Sequence, residues 1–109
     1  MISSPAVADG RVYVGSRDYN VYCLDADNGT LIWNYTTGGP VWSSPTVADG
    51  KVYIGSHDNN TYCLDADNGT KIWNYTTGSF VFSSPAVADG KVYIGSHDNN
   101  TYCLDADNG

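Results

Sequence analysis

The hydrophobic positions fall into short runs that are soon interrupted by Gly, Asp or Asn. Val52-Tyr53-Ile54, Thr61-Tyr62-Cys63-Leu64 and Lys71-Ile72-Trp73-Asn74-Tyr75-Thr76 are rich in β-branched and aromatic residues, the composition of strands. Between them lie Asp49-Gly50, Asp58-Asn59-Asn60 and Asp67-Asn68-Gly69, residue types that form tight turns or tolerate positive φ. No window carries a 3.6-residue apolar period long enough for a helix. The pattern predicts four strands, near 42–48, 51–56, 60–66 and 70–76.

This unit recurs with a period of 40 residues and no insertion. Ser3-Ser4-Pro5 returns as Ser43-Ser44-Pro45 and Ser83-Ser84-Pro85, Cys23 as Cys63 and Cys103, and Trp33 as Trp73. Residues 43–69 and 83–109 differ only at Thr46 against Ala86. The first copy differs more, with Arg11, Val14, Arg17, Tyr19 and Val21 in place of Lys51, Ile54, His57, Asn59 and Thr61. Such near-identity means recent duplication or deliberate construction. Eleven antiparallel strands are expected: two full sets and a third set that lacks its fourth strand. The expected core is Val52, Ile54, Tyr62, Leu64, Ile72 and Trp73, with their equivalents 40 residues away.

Four short strands per ~40 residues are the signature of a β-propeller blade. The stretch Val21-Tyr22-Cys23-Leu24-Asp25-Ala26-Asp27-Asn28-Gly29-Thr30-Leu31-Ile32-Trp33 is more specific. It resembles the tryptophan-docking motif of pyrroloquinoline-quinone-type propellers. The match recurs from Tyr62 to Trp73 and begins again at Tyr102. The resemblance covers essentially the whole chain. It implies an all-β fold of blades around an axis, usually eight for this type. The expected blades are residues 2–40, 41–80 and 81–109. It also implies that Trp33 and Trp73 sit on the outermost strand and dock across the seam to the next blade, a suitable role for a large apolar ring with one N–H donor. The competing role for these two rings is ligand stacking.

Composition narrows the partners. Of the 109 residues, 5 are Lys or Arg and 12 are acidic, for a net charge of -7, and every acid is Asp. That balance disfavours nucleic acid. No apolar run approaches the ~18–20 residues that span a bilayer, which excludes membrane insertion by a helix. Met1 to Pro5 shows no basic region followed by an apolar stretch. Asn28, Asn34, Asn59, Asn68, Asn74 and Asn99 head Asn-x-Thr sequons, which fit a parent protein at the cell surface, although the repeat multiplies any chance sequon.

A meander alternates its turns between two ends. One end therefore gathers three Asp per blade, and a closed ring there would collect cations weakly. The Asp-x-Asp-Asn-Gly turns fail as EF-hand-type Ca²⁺ loops, because Gly29 is fifth counting from Asp25 and no Glu exists; closing a tight hairpin is their expected role. The opposite end carries Ser56-His57-Asp58. These are the residue types of a nucleophilic triad, but consecutive turn residues cannot converge. No catalytic, cofactor or metal residue is assigned. His57 and His97 are expected as solvated turn residues. Cys23, Cys63 and Cys103 are expected as buried or half-buried thiols too far apart to pair.

Three functions remain. The first is a non-catalytic structural or interaction scaffold. The second is a fragment of a quinoprotein dehydrogenase, a family whose sites use Glu and adjacent Cys that this sequence lacks. The third is a glycan-binding propeller using Tyr and His at blade tips. Propellers close with about 4–8 or more blades, so a chain with under three is expected to self-associate head to tail. Two chains would supply six blades and three would supply nine. A start at Met1 on a blade boundary favours that expectation over a segment of a longer, eight-bladed protein.

Overall fold

The computed structural model describes residues 4–81 and 83–109. The described residues form three antiparallel meanders and no helix. The first comprises β1 (Ala6–Ala8), β2 (Arg11–Gly15), β3 (Asn20–Asp25) and β4 (Leu31–Thr36). The second comprises β5 (Thr46–Ala48), β6 (Lys51–Gly55), β7 (Asn60–Asp65) and β8 (Lys71–Thr76). The third holds β9 (Ala86–Ala88), β10 (Lys91–Gly95) and β11 (Thr101–Asp105). The expected first blade boundary at residue 2 lies outside the described residues.

The turns explain the meander. Asp49 (φ 52°) and Gly50 (φ 74°) both have positive φ, the type I′ geometry that matches the twist of a two-residue hairpin. Asn59, at φ 75°, lets the second hairpin reverse. β7 pairs with β8 in a register that aligns Cys63 with Trp73, then shifts at Cys63/Leu64. The first strand of each set is shorter than expected, Thr46–Ala48 rather than 42–48. Pro45 has no N–H to give a ladder, and Ser43 and Ser44 spend their polar groups elsewhere: Ser43 Oγ accepts from Gly55 N at 2.8 Å, and Ser44 N donates to Ser84 Oγ at 3.0 Å.

The core lies between sheets in two layers. Val52, Ile54, Tyr62 and Leu64 pack with Tyr13, Val21, Cys23 and Trp33 of the first sheet. From the other face of the same second sheet, Tyr53, Cys63 and Trp73 pack with Val92, Ile94 and Leu104 of the third. Several expected core positions need correction. Ile72 is 42% exposed and Ile32 is also exposed. They alternate with Trp73 and Trp33 on outermost strands, where only the Trp side has a neighbour to cover it. Val12, Val14, Tyr22 and Leu24 are half-buried because no sheet precedes the first among the described residues, and Tyr102 is half-buried too. Cys23 and Cys63 are buried but Cys103 is exposed, since among the described residues no fourth strand and no following sheet cover it.

Candidate functional site

The seams between sheets concentrate the specific polar contacts. At the first seam, Trp33 crosses to the second sheet and its indole N–H donates to the Ala66 carbonyl at 2.9 Å. Arg11 donates to the same carbonyl at 2.9 Å, and the Tyr13 hydroxyl approaches it at 3.4 Å. The Tyr13 and Trp33 rings lie 6.0 Å apart, tilted. The second seam repeats this design. Trp73 donates to the Ala106 carbonyl at 3.0 Å, the Tyr53 hydroxyl reaches it at 3.4 Å, and the two rings are 6.2 Å apart. Lys51 Nζ bonds Asp107 Oδ1 at 2.8 Å where Arg11 faces Asp67 at 3.5 Å. Both acids are open to solvent, so these pairs orient the sheets more than they stabilise them. The Asp107 pair raises the Lys51 pKa, and the Lys51 hydrogen bond lowers that of Asp107.

Other bonds clip the opposite end of each seam. Asp58 Oδ2 accepts from Gly38 N at 2.8 Å across the seam and from the Tyr62 hydroxyl within its own sheet. Asp98 does the same with Gly78 at 2.9 Å and with Tyr102. The Tyr102 hydroxyl and then the Gly78 and Asn100 N–H groups hold the Asp98 carboxyl below its usual range. Thr37 and Ser56 hydroxyls meet at 2.9 Å, as do Thr77 and Ser96. Just before the first strand of each sheet, Ser4 N bonds Ser44 Oγ at 3.0 Å, and Ser44 N bonds Ser84 Oγ at the same distance.

The triad residue types do not converge. The Ser56 hydroxyl is occupied by Thr37 and by the Gly39 carbonyl at 3.2 Å, and the Asp58 carboxylate by Gly38 and Tyr62. His57 is half-buried, not a solvated turn residue. Its ring stacks on Trp42 at 5.3 Å and on Phe80 at 4.5 Å, which places it between two aromatic faces and lowers its pKa by desolvation, with His97 adding to the shift. His97 is exposed, and its ring lies 5.9 Å from that of Phe80, tilted. In the Asp-x-Asp-Asn-Gly turns the first Asp and the Asn serve their own backbone: Asp65 Oδ1 accepts from Asp67 N at 2.8 Å, and Asn68 Oδ1 from Thr70 N at 3.0 Å. Among the described residues no three His, Cys, Asp or Glu side chains group as a metal site. Burial pushes the Cys63 thiol up to about 11, which suits a packing role rather than a nucleophile.

Comparison with known proteins agrees with this architecture. Residues 2–109 match the family described as outer membrane protein assembly factor BamB. The chain belongs to that family of pyrroloquinoline-quinone-type repeats. The fold is that of β-propeller blades, the third with three strands. BamB from Moraxella catarrhalis superposes with a TM-score of 0.84 at 24% identity, covering 94% of this chain and 32% of that one. The quinohemoprotein alcohol dehydrogenase ADHIIG from Pseudomonas putida HK5 also gives 0.84, at 28% identity over 98% of this chain and 19% of that one. A beta-alanine-activating enzyme of Danio rerio is 53% identical over 32 residues, which are 29% of this chain and 3% of that protein. The chain therefore spans a third or less of the length of each.

Sequence reasoning missed the Asp58 clip, the Ser ladder and the His57 stack. The signal for the clip was present: Asp18, Asp58 and Asp98 each stand four residues before a Tyr, at the turn facing the inter-sheet link. The stack had no such signal, because Phe80 takes the place of Pro40 and Arg17 the place of His57.

Proposed function

We propose that the chain is a non-catalytic propeller module, a structural or interaction scaffold that closes into a ring by head-to-tail association of copies. The observation that carries this reading is the repetition of one seam. Tyr13 and Tyr53 reach Ala66 and Ala106, and Arg11 and Lys51 reach Asp67 and Asp107, each 40 residues on from the last. The same offsets carried past the third sheet match Tyr93 with Ala26 of another copy and Lys91 with its Asp27. All four of these residues are exposed. Trp33 and Trp73 act as docking residues in this scheme. An interface of one copy's last sheet on another's first is heterologous, and it closes when the per-blade rotation allows.

Light scattering tests it. The mass is expected to rise above 11.7 kDa as micromolar concentration increases, and Lys91→Glu, which sets like charges opposite Asp27, is expected to shift that rise to higher concentration. A folded, monodisperse monomer throughout would overturn the reading. The short span relative to the neighbours supports a second reading, in which further repeats of one longer chain cover both flanks. Either way, the missing Glu and adjacent Cys argue against a quinone site. Titration with the quinone and Ca²⁺ is expected to show no tight binding, and submicromolar affinity would reinstate the dehydrogenase reading. The Asp-rich end is expected to bind cations only weakly, and no nucleic-acid partner is expected.

A further inference from the structure

We propose that Asn28 and Asn68 are acceptors for an N-linked glycan, and that the fold selects them among the six Asn-x-Thr sequons. The substrate class is an oligosaccharide carried on a polyprenyl pyrophosphate. In the transfer, Nδ2 attacks C1 of the first sugar and the C1–O bond to the pyrophosphate breaks. The lipid pyrophosphate leaves with the electron pair, and one Nδ2 proton passes to a base of the transferase. Such a site needs a free Nδ2, a reachable Thr hydroxyl two residues on, and backbone in a surface loop.

Two sequons meet all three conditions. Asn28-Gly29-Thr30 and Asn68-Gly69-Thr70 lie in the β3–β4 and β7–β8 turns, and both Asn and both Thr are exposed. Each turn fixes its carboxamide in one orientation. Asn28 Oδ1 accepts from Thr30 N at 3.0 Å. Asn68 Oδ1 accepts from Thr70 N at 3.0 Å and from Thr70 Oγ1 at 2.7 Å. This is the local bonding by which Asn shapes a turn. It engages the oxygen and leaves Nδ2 without a protein partner among the described residues.

The other four sequons are held by the sheets. Asn34 Nδ2 and Thr36 Oγ1 both donate to Asn20 Oδ1, at 3.2 and 2.6 Å. Asn74 Nδ2 and Thr76 Oγ1 donate to Asn60 Oδ1 in the same way, at 3.0 and 2.6 Å. The nucleophile and the hydroxyl are thus both spent inside a strand pair. Asn59 leads directly into β7, where Thr61 is fully buried. Asn99 leads into β11, where Thr101 pairs with Gly95 in the ladder. None of these contacts needs a second copy of the chain. A glycan on Asn28 or Asn68 would stand at the Asp-rich end of the sheets, opposite the turn that carries His57.

The test gives the folded 109-residue chain and a polyprenyl-pyrophosphate oligosaccharide to a single-subunit oligosaccharyltransferase that reads Asn-x-Thr. Glycopeptides are then quantified by mass spectrometry. Synthetic peptides spanning each sequon supply the rate of the same site without the fold. Asn28 and Asn68 are expected to be modified at close to their peptide rates. Asn34, Asn59, Asn74 and Asn99 are expected to fall about tenfold or more below theirs, because native structure shields local chemistry. Absence of modification at Asn28 and Asn68 overturns the proposal. So does a folded chain modified at all six sites in the proportions of the peptides, or one that prefers Asn34 or Asn74.

Discussion

The second and third sheets are made of almost the same residues and bury them differently. Val52 and Val92 are both inaccessible, yet Tyr53 is 1% exposed and Tyr93 is 40% exposed. Cys63 and Cys103 part in the same way. The face turned toward the preceding sheet is covered in both cases. The face turned toward the following sheet is covered only in the second. Burial in this architecture therefore belongs to the seam, not to the strand. One sequence yields a core residue or a surface residue according to whether a neighbour is docked. The first sheet shows the converse, with Tyr13 buried and Val12 and Val14 half-open.

The sharpest test substitutes one residue type at the two ends of that contrast. Tyr53→Ala and Trp73→Ala remove rings from the second seam and are each expected to cost about 3–5 kcal/mol, the range for truncating a buried aromatic. Tyr93→Ala, in the same local sequence, is expected to cost under about 1 kcal/mol in the dilute monomer. Urea unfolding followed by circular dichroism gives all three values. Equal losses at Tyr53 and Tyr93 would break the comparison, and a loss within ~0.5 kcal/mol for Trp73→Ala would take that ring out of the core.

Strand number, order and turns were legible in the sequence, because β-branched and aromatic runs and Asp-Gly turns are local signals. The two Trp positions were legible because the motif fixes them on outer strands. What could not be read was which face of each strand finds cover. Ile72 has the composition of a core residue, but its cover would have to come from outside the outermost strand. Cross-seam polar contacts were hidden for a related reason. The partners of Asp58 and Trp33 lie 20 and 33 residues away, a spacing that only the stacking of sheets makes short.

A second contrast concerns two glycines with the same backbone and different neighbours. Gly29 has φ +75° with open space where a Cβ would be, whereas a Cβ on Gly69, at φ +77°, would stand 2.6 Å from the Trp33 ring. Gly29→Ala should cost only the left-handed penalty, about 1–2 kcal/mol. Gly69→Ala adds the displacement of a packed indole, a further ~1–3 kcal/mol of overpacking. The same unfolding measurement decides. Equal costs would mean that the indole moves aside freely and that the seam is loosely held.

Thr61 and Thr101 extend the comparison to a polar group. Thr61 Oγ1 is fully buried and has no hydrogen-bond partner among the described residues, while Thr101 is exposed. The first sheet carries Val21 at this place, also fully buried. Thr61→Val exchanges a stranded hydroxyl for a methyl of similar size and is expected to gain about 1–2 kcal/mol. Thr101→Val should stay within ~0.5 kcal/mol of zero. A loss of stability in Thr61→Val would mean that the hydroxyl has a partner, an ordered water being the simplest.

The smallest expected effect lies in a turn, where the first sheet departs from the other two. Asn59 and Asn99 hold φ of 75° and 72°, and Tyr19 holds 79° at the equivalent place. Asn tolerates the left-handed region, because its short polar side chain bonds locally, whereas a ring-bearing residue does so less readily. The Tyr19 side chain is exposed and gains little from packing. Its backbone remains needed, since the Tyr19 carbonyl accepts from Thr37 N at 2.8 Å, as that of Asn59 accepts from Thr77 N at 2.7 Å. Tyr19→Asn keeps that bond and removes the strain. It is expected to raise stability by about 0.5–1 kcal/mol, which a thermal melt resolves as a rise of a few degrees in Tm for a domain of this size. The reverse substitution, Asn59→Tyr, should lose a similar amount. If neither changes Tm, the turn is held by its carbonyl bonds alone, and the difference between the first repeat and the others at this position carries no energetic weight.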